Sequence, residues 1–194
     1  MSRLSAPRAW PARVLSLTAA AVLAASAGLA SAALPNGSKA PEFQVDAAIG
    51  GKAFKFTLAE QLKKGPVVLY FYPKAFTSGC TVEAHQFAEA TPQFEALGAT
   101  VIGMSNDDID TLKKFSIEAC RNKFAVAADP EAKIAKQYDA KIKMMDMADR
   151  VSFVLSPDGK VIFSHTAMSP AGHITETLKA VQAWKAQQTA PTKP

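Results

Sequence analysis

The chain has 194 residues, 48% of them hydrophobic and 20% charged, with two cysteines and three histidines. That composition is too apolar for a disordered chain, and two thiols exclude both a disulfide-dense scaffold and a four-thiolate zinc or iron–sulfur site. The formal charge of +5 overstates the basicity: three of the 22 basic residues, Arg3, Arg8 and Arg13, lie in a leader read as removable, and no basic stripe remains for a nucleic acid.

Residues 1–13 hold those arginines and no acid, Val14–Leu29 is an apolar block, and Ala30-Ser31-Ala32 ends it with small residues. A basic start, a short apolar stretch and a small-x-small site describe a secretory signal peptide over residues 1–32. The block is shorter than the ~20 residues of a membrane-spanning helix. The expectation is a protein exported to the bacterial periplasm, with no membrane association after cleavage.

The following chain alternates strand and helix patterns. Pro41 discourages helix at Ala40, so Lys39–Phe43 reads as extended. Gly50-Gly51 marks a turn before Lys52–Thr57, and a short helical stretch covers Leu58–Lys63. Val67–Tyr72 is an unbroken β-branched and aromatic run, a strand buried on both faces, ended by Pro73. Thr81–Leu97 has a helical pattern that Pro92 is expected to kink or split near Thr91. Ala99–Ser105 is a second buried strand. Asn106-Asp107-Asp108 then supplies an N-cap for a helix to about Asn122, with Ile109, Leu112, Phe115 and Ala119 on its buried face. Phe124–Ala128 reads as a short strand, and Asp129-Pro130 opens a helix through Tyr138. Val151–Leu155 and Val161–His165 flank Ser156-Pro157-Asp158-Gly159 as a hairpin. Ser169-Pro170 caps a last helix with Ile174, Leu178, Val181 and Trp184 as its buried stripe, and Gln188–Pro194 reads as a disordered tail. These elements make one three-layer α/β domain over residues 33–187, a mixed central sheet flanked by helices on both faces.

The chemistry gathers at one strand-to-helix junction. Pro73-Lys74-Ala75-Phe76-Thr77-Ser78-Gly79-Cys80 follows the first buried strand and leads into Thr81-Val82-Glu83. Cys80 therefore falls in the first turn of a helix, at the carboxyl end of a central strand. Backbone N–H groups and the helix dipole favour an anion there, which suits a nucleophilic thiolate. Thr77, three residues earlier, is expected to turn its hydroxyl back to the sulfur, and Gly79 lets the backbone approach a small substrate.

The spacing Pro-x-x-x-Thr-x-x-Cys, carried by Pro73, Thr77 and Cys80, resembles the active-site motif of the peroxiredoxins. Val68–Pro73 and Cys80–Glu83 look like the Q-type branch, similar to bacterioferritin-comigratory protein. The likeness continues through Gly98–Ser105, Arg150–Val154 and Asp158–Val161, spanning most of residues 37–185. It implies a thioredoxin-like fold and thiol-dependent reduction of hydrogen peroxide and alkyl hydroperoxides, with no cofactor and no metal. It further implies Cys80 as the thiolate oxidised to sulfenic acid and Arg150 as the group that holds thiolate and peroxide. Arg150, the Thr77 hydroxyl and the Cys80 N–H would stabilise the leaving group, while Pro73 shields the sulfenate from water. Glu83 reads as a helix-start acid that orients its neighbours. A thioredoxin-like or small-thiol reductant would close the cycle in a monomer or weak dimer.

Many Q-type members carry a resolving cysteine five residues after the first, where this chain has His85. Some place it in the helix that here holds Cys120, which makes Cys120 the expected intramolecular partner of Cys80. On the helical wheel Cys120 falls about 80° from Leu112, at the edge of the buried stripe and reachable without crossing the core. A plain packing residue is the competing reading. Met144-Met145-Asp146-Met147 is read as a loop packing over the active site, against a copper site that would want an adjacent histidine or cysteine. The competing function is a non-catalytic or differently reacting thioredoxin-like thiol- or metal-binding protein of the cell envelope. Cys80-Thr81-Val82-Glu83 lacks the second thiol of a Cys-x-x-Cys disulfide oxidoreductase.

Overall fold

Alternation along the first buried strand divides the interior in two. In the computed structural model, which describes residues 33–189, Val67, Leu69 and Phe71 enter one apolar cluster while Val68, Tyr70 and Tyr72 enter a second on the opposite face. The elements in chain order are β1 (Gln44–Ile49), β2 (Lys52–Thr57), α1 (Leu58–Leu62), β3 (Val67–Phe71), α2 (Ser78–Ala96), β4 (Thr100–Ser105) and α3 (Ile109–Glu118). They continue with β5 (Ala125–Ala128), α4 (Lys133–Gln137), β6 (Val151–Leu155), β7 (Val161–Thr166) and α5 (Ala171–Thr189). The strands form one mixed seven-stranded sheet in the order β2-β1-β5-β4-β3-β6-β7, with β3, β4 and β5 parallel. The first cluster is closed by Leu58 and Leu62 of α1, Ala135 of α4 and Tyr138. The second is closed by Phe87 and Phe94 of α2, Leu112 and Phe115 of α3 and Val181 of α5. This is the single thioredoxin-like α/β domain expected. The proposed signal peptide and residues 190–194 of the tail lie outside the described residues.

Several local expectations are corrected. Lys39–Phe43 is an entry segment with one isolated bridge, Lys39 to Lys160, and it leads into a strand that was not expected, Gln44–Ile49. Its buried residues are two alanines, Ala47 and Ala48, too slight an apolar signal to mark a strand that pairs with both β2 and β5. Helix α2 runs through Pro92 unsplit. Proline removes one donor, and the packing of Phe87 and Phe94 on either side outweighs that loss. Helix α3 stops at Glu118, four residues short of Asn122, because Arg121 and Asn122 take left-handed φ values of 50° and 60°.

Asp129 does not open α4 but caps it from outside. Its buried carboxylate accepts the N–H groups of Lys133, Ile134 and Ala135, each at 2.9 Å. On α5 the fully buried positions are His173, Thr177 and Val181, with Ile174, Leu178 and Trp184 half-buried beside them. The helix extends through Thr189, beyond the point where the tail was expected to begin. Asp129→Ala leaves three N–H groups of α4 without their acceptor, and we expect urea unfolding to show a loss of roughly 2–3 kcal/mol. A loss under about 0.5 kcal/mol would mean that water replaces the carboxylate.

Candidate active site

The loop between β3 and α2 is held by the end of β4. The Asp107 carboxylate accepts the Ala75 N–H at 2.7 Å and the Ser105 hydroxyl at 2.8 Å. Phe76 adopts a left-handed φ of 63°, unusual for a residue with a large side chain, and its ring meets Phe115 edge-on at 5.2 Å. Thr77 then starts α2 with extended backbone, its carbonyl accepting from the Thr81 N–H at 2.9 Å. Its hydroxyl donates to the Lys74 carbonyl at 3.0 Å, closing the loop, rather than to the sulfur as the sequence suggested. Pro73 is half-buried where the strand ends. Cys80 follows as the third residue of α2, buried and free of any disulfide.

Arg150, just before β6, reaches this turn from the other side. One guanidinium nitrogen, Nη2, lies 3.3 Å from Cys80 Sγ; Nη1 donates to Glu83 Oε2; Nε donates to the Met168 carbonyl at 3.1 Å. Gly79 permits this approach: a Cβ there would stand 3.3 Å from Nη2. Glu83 is fully buried and Arg150 nearly so. Burial works against the Arg150 charge, but Glu83 and the sulfur outweigh it and hold the guanidinium above its ordinary range. Glu83 fares differently. Burial pushes its carboxyl up to about 7 despite the opposing pull of Arg150, and Oε1 finds no hydrogen-bond partner among the described residues.

The structure thus brings Cys80, Glu83 and Arg150 into contact, with Thr77 and Pro73 at the rim. It does not bring Cys120 to the edge of the core. That thiol is fully buried in the same apolar cluster as Cys80, and burial pushes its pKa far above the usual thiol range. Met144 and Met145 are exposed in a loop tied to β4 through Asn106, whose Nδ2 donates to the Asp146 carbonyl at 3.1 Å. Asn106 also accepts the Ala148 N–H at 2.7 Å, and so fixes the segment that delivers Arg150. Of the trio read as a cap, only Asp108 caps α3, accepting the Thr111 N–H at 2.8 Å; Asn106 and Asp107 hold the site's two loops. The signal was an excess of capping groups over what one helix uses. His173, also unpredicted, lies 3.8 Å from Glu83 Oε1 and meets His165 edge-on at 4.7 Å.

Comparison with known proteins bears on the family of the chain. Residues 36–164 match the family model described as AhpC/TSA family. Peroxiredoxin Q of Triticum aestivum, a chloroplast protein, is 33% identical over 161 residues, covering 82% of this chain and 72% of the relative. Peroxiredoxin Bcp of Xanthomonas campestris is 32% identical, covering 60% and 76%. Among solved structures, peroxidoxin BcpB of Mycobacterium tuberculosis superimposes with a TM-score of 0.70 at 28% identity, covering 77% of this chain and 97% of that one.

The buried carboxyl makes a signed pH prediction. Glu83 binds its proton more tightly in the folded chain than in the unfolded one. Its contribution to stability is therefore greatest below the unfolded value of 4.5 and is lost as pH rises toward about 7. Unfolding of the wild type relative to Glu83→Gln, followed by urea titration, should lose stability across that window and level off above it. A difference independent of pH would show that folding does not raise the Glu83 pKa.

Proposed function

The chain belongs to the AhpC/TSA family as a peroxiredoxin, a thiol-dependent peroxidase, and we propose that Cys80 is the thiol that reacts with hydrogen peroxide and alkyl hydroperoxides. The observation that carries this is the contact of Arg150 Nη2 with Cys80 Sγ at 3.3 Å, in the first turn of α2. A cation and a helix N-terminus converge on one sulfur, an environment that suits a thiolate as nucleophile. The thiolate attacks the terminal peroxide oxygen; the S–O bond forms as the O–O bond breaks, giving the sulfenic acid and an alkoxide or hydroxide that takes up a proton. Arg150 and the Cys80 N–H stabilise the charge that develops on the departing oxygen. The exposed Thr77 oxygen, its proton engaged by Lys74, keeps lone pairs to accept the peroxide O–H. Pro73 shields the sulfur from water, and Glu83 orients Arg150.

Cys120 is then the resolving thiol in the same chain: it attacks the Cys80 sulfenic acid, the S–S bond forms and water leaves. A thioredoxin-type or small-thiol reductant returns both thiols. Cys120 can attack only after the end of α3 opens, since it is fully buried. The successive left-handed residues Arg121 and Asn122 support opening at that point. The basic, apolar and small-residue pattern of residues 1–32 supports action in the periplasm, which cell fractionation tests.

Cys80→Ser should abolish peroxide turnover, and Arg150→Ala should slow oxidation of the thiol by about 10²-fold or more in stopped-flow measurements. Residual turnover in Cys80→Ser would overturn the assignment. Peroxide treatment should also give a monomeric disulfide of higher mobility on a non-reducing gel, absent from Cys120→Ser. Full activity of Cys120→Ser with a thioredoxin-type reductant would make Cys120 a packing residue and the enzyme a one-cysteine peroxidase. An intermolecular band would place the resolving step between chains.

A further inference from the structure

Behind the Glu83–Arg150 pair lies a second polar layer that peroxide chemistry does not itself require. Ser152, Glu83, His173 and Thr177 are all fully buried. Ser152 sits in β6, two residues after Arg150, and pairs in register with His165 of β7. His173 enters from the first turn of α5. Its Nε2 lies 3.0 Å from the Ala167 carbonyl and its Nδ1 lies 2.8 Å from the Ser152 hydroxyl. A carbonyl can only accept, so Nε2 carries the proton and Nδ1 accepts from Ser152. The side of Nδ1 also faces Glu83 Oε1 at 3.8 Å, the oxygen that finds no donor among the described residues.

Two consequences converge on Arg150. The carbonyl held by His173 belongs to Ala167, and the next carbonyl along the chain, Met168, accepts from Arg150 Nε at 3.1 Å. His173 therefore fixes the backbone that sets the direction of the guanidinium. Its Nδ1 also carries no proton, so it offers Glu83 no donor to compete with Arg150. Burial keeps the ring neutral, its pKa pushed down to about 4. The partly exposed His165 ring packs edge-on against it at 4.7 Å, with Nε2 over Gly172.

We propose that His173 is a positioning residue for peroxide reduction, holding the Ala167–Met168 backbone and backing Glu83 so that Arg150 stays on the Cys80 sulfur. This rests on the reading of Cys80 and Arg150 above. A histidine that only filled the core would owe nothing to the chemistry. The proposed role predicts a loss confined to steps that use Arg150, because a displacement of about 1 Å at a positioned group costs on the order of 10²-fold in rate.

Two variants divide the imidazole. In His173→Gln the amide nitrogen can occupy the place of Nε2 and still donate to Ala167. In His173→Asn the amide oxygen can replace Nδ1 as acceptor for Ser152, but the donor to Ala167 is lost. Stopped-flow oxidation of Cys80 by hydrogen peroxide is compared with alkylation of Cys80 by iodoacetamide at the same pH, in Cys120→Ser protein. We expect His173→Asn to slow oxidation by about 10- to 100-fold, and by at least about tenfold more than it slows alkylation, with His173→Gln within about threefold of the parent. Equal losses in the two reactions, or equal rates for Asn and Gln, would overturn the proposal while leaving Cys80 in place. A parent protein that peroxide does not oxidise at Cys80 would overturn the underlying reading and this inference with it.

Discussion

A guanidinium withdrawn from water is the constraint around which the site is built. Arg150 is almost wholly buried, and a buried cation is tolerated only when its donors are matched by acceptors and its charge by a counter-charge. The Glu83 carboxyl takes Nη1 and supplies the counter-charge when ionised, the Met168 carbonyl takes Nε, and Nη2 falls on Cys80 Sγ. A thiolate fills that third place better than a thiol, since ionised acceptors make the stronger bonds. The Cys80 sulfur is thus the third acceptor around this guanidinium. Removing either fixed partner would leave the cation free to turn away from the reacting atom.

Three separated parts of the chain must agree for this to happen. Cys80 and Glu83 are three residues apart on α2 and so project from one face of it. Arg150 arrives at the start of β6, which pairs with β3 in a register that sets Phe71 opposite Val151. The strand that ends at the thiol loop therefore lies beside the strand that begins at the arginine. Asp107 and Asn106, both at the end of β4, fasten the loops on either side. The parallel β3–β4 pair aligns these strand ends, and loops alone would not hold a 3.3 Å contact.

What could be read from the sequence follows the range of the interactions. The thiol junction is local: a buried strand followed by a proline, a threonine and a cysteine within eight residues, legible without a partner. The layered α/β class was equally plain from the Val67–Tyr72 and Ala99–Ser105 runs. Arg150 was legible only through resemblance, because nothing near it in the chain announces a sulfur seventy positions away. The fold missed most where polar residues occupy buried positions. His173 and Thr177 line the inner face of α5, and an apolar stripe drawn through Ile174 and Leu178 passes beside them. The β1 strand was missed because small alanines bury as completely as larger residues while contributing little to a pattern.

If Cys120 resolves the sulfenic acid as proposed, the same apolar packing serves stability and opposes turnover. It shares a cluster with Cys80, on the sheet face covered by α2, α3 and α5, and close aromatic stacking surrounds that cluster: Tyr70 lies 4.3 Å from Phe87, and Tyr72 lies 5.6 Å from Phe115. Burying those rings contributes on the order of 1.5–3 kcal/mol each, so the whole face will not open to expose one thiol. For the proposed disulfide, opening has to be confined to the turn that follows α3. There the Cys120 N–H is held by the Phe115 carbonyl at 3.1 Å, and beyond it the only side-chain tie from Arg121 among the described residues is an exposed pair with Glu89. Exposed pairs contribute little, and the two left-handed residues that follow are already unfavourable. This turn, closed also by the Asn122 N–H on the Ser116 carbonyl at 3.0 Å and the Lys123 N–H on the Cys120 carbonyl at 2.9 Å, is the segment that would have to move for the proposed disulfide to form. In the proposed cycle a packed core on one side of Cys120 and two left-handed residues on the other would let the thiol be buried at rest and released without unfolding the sheet.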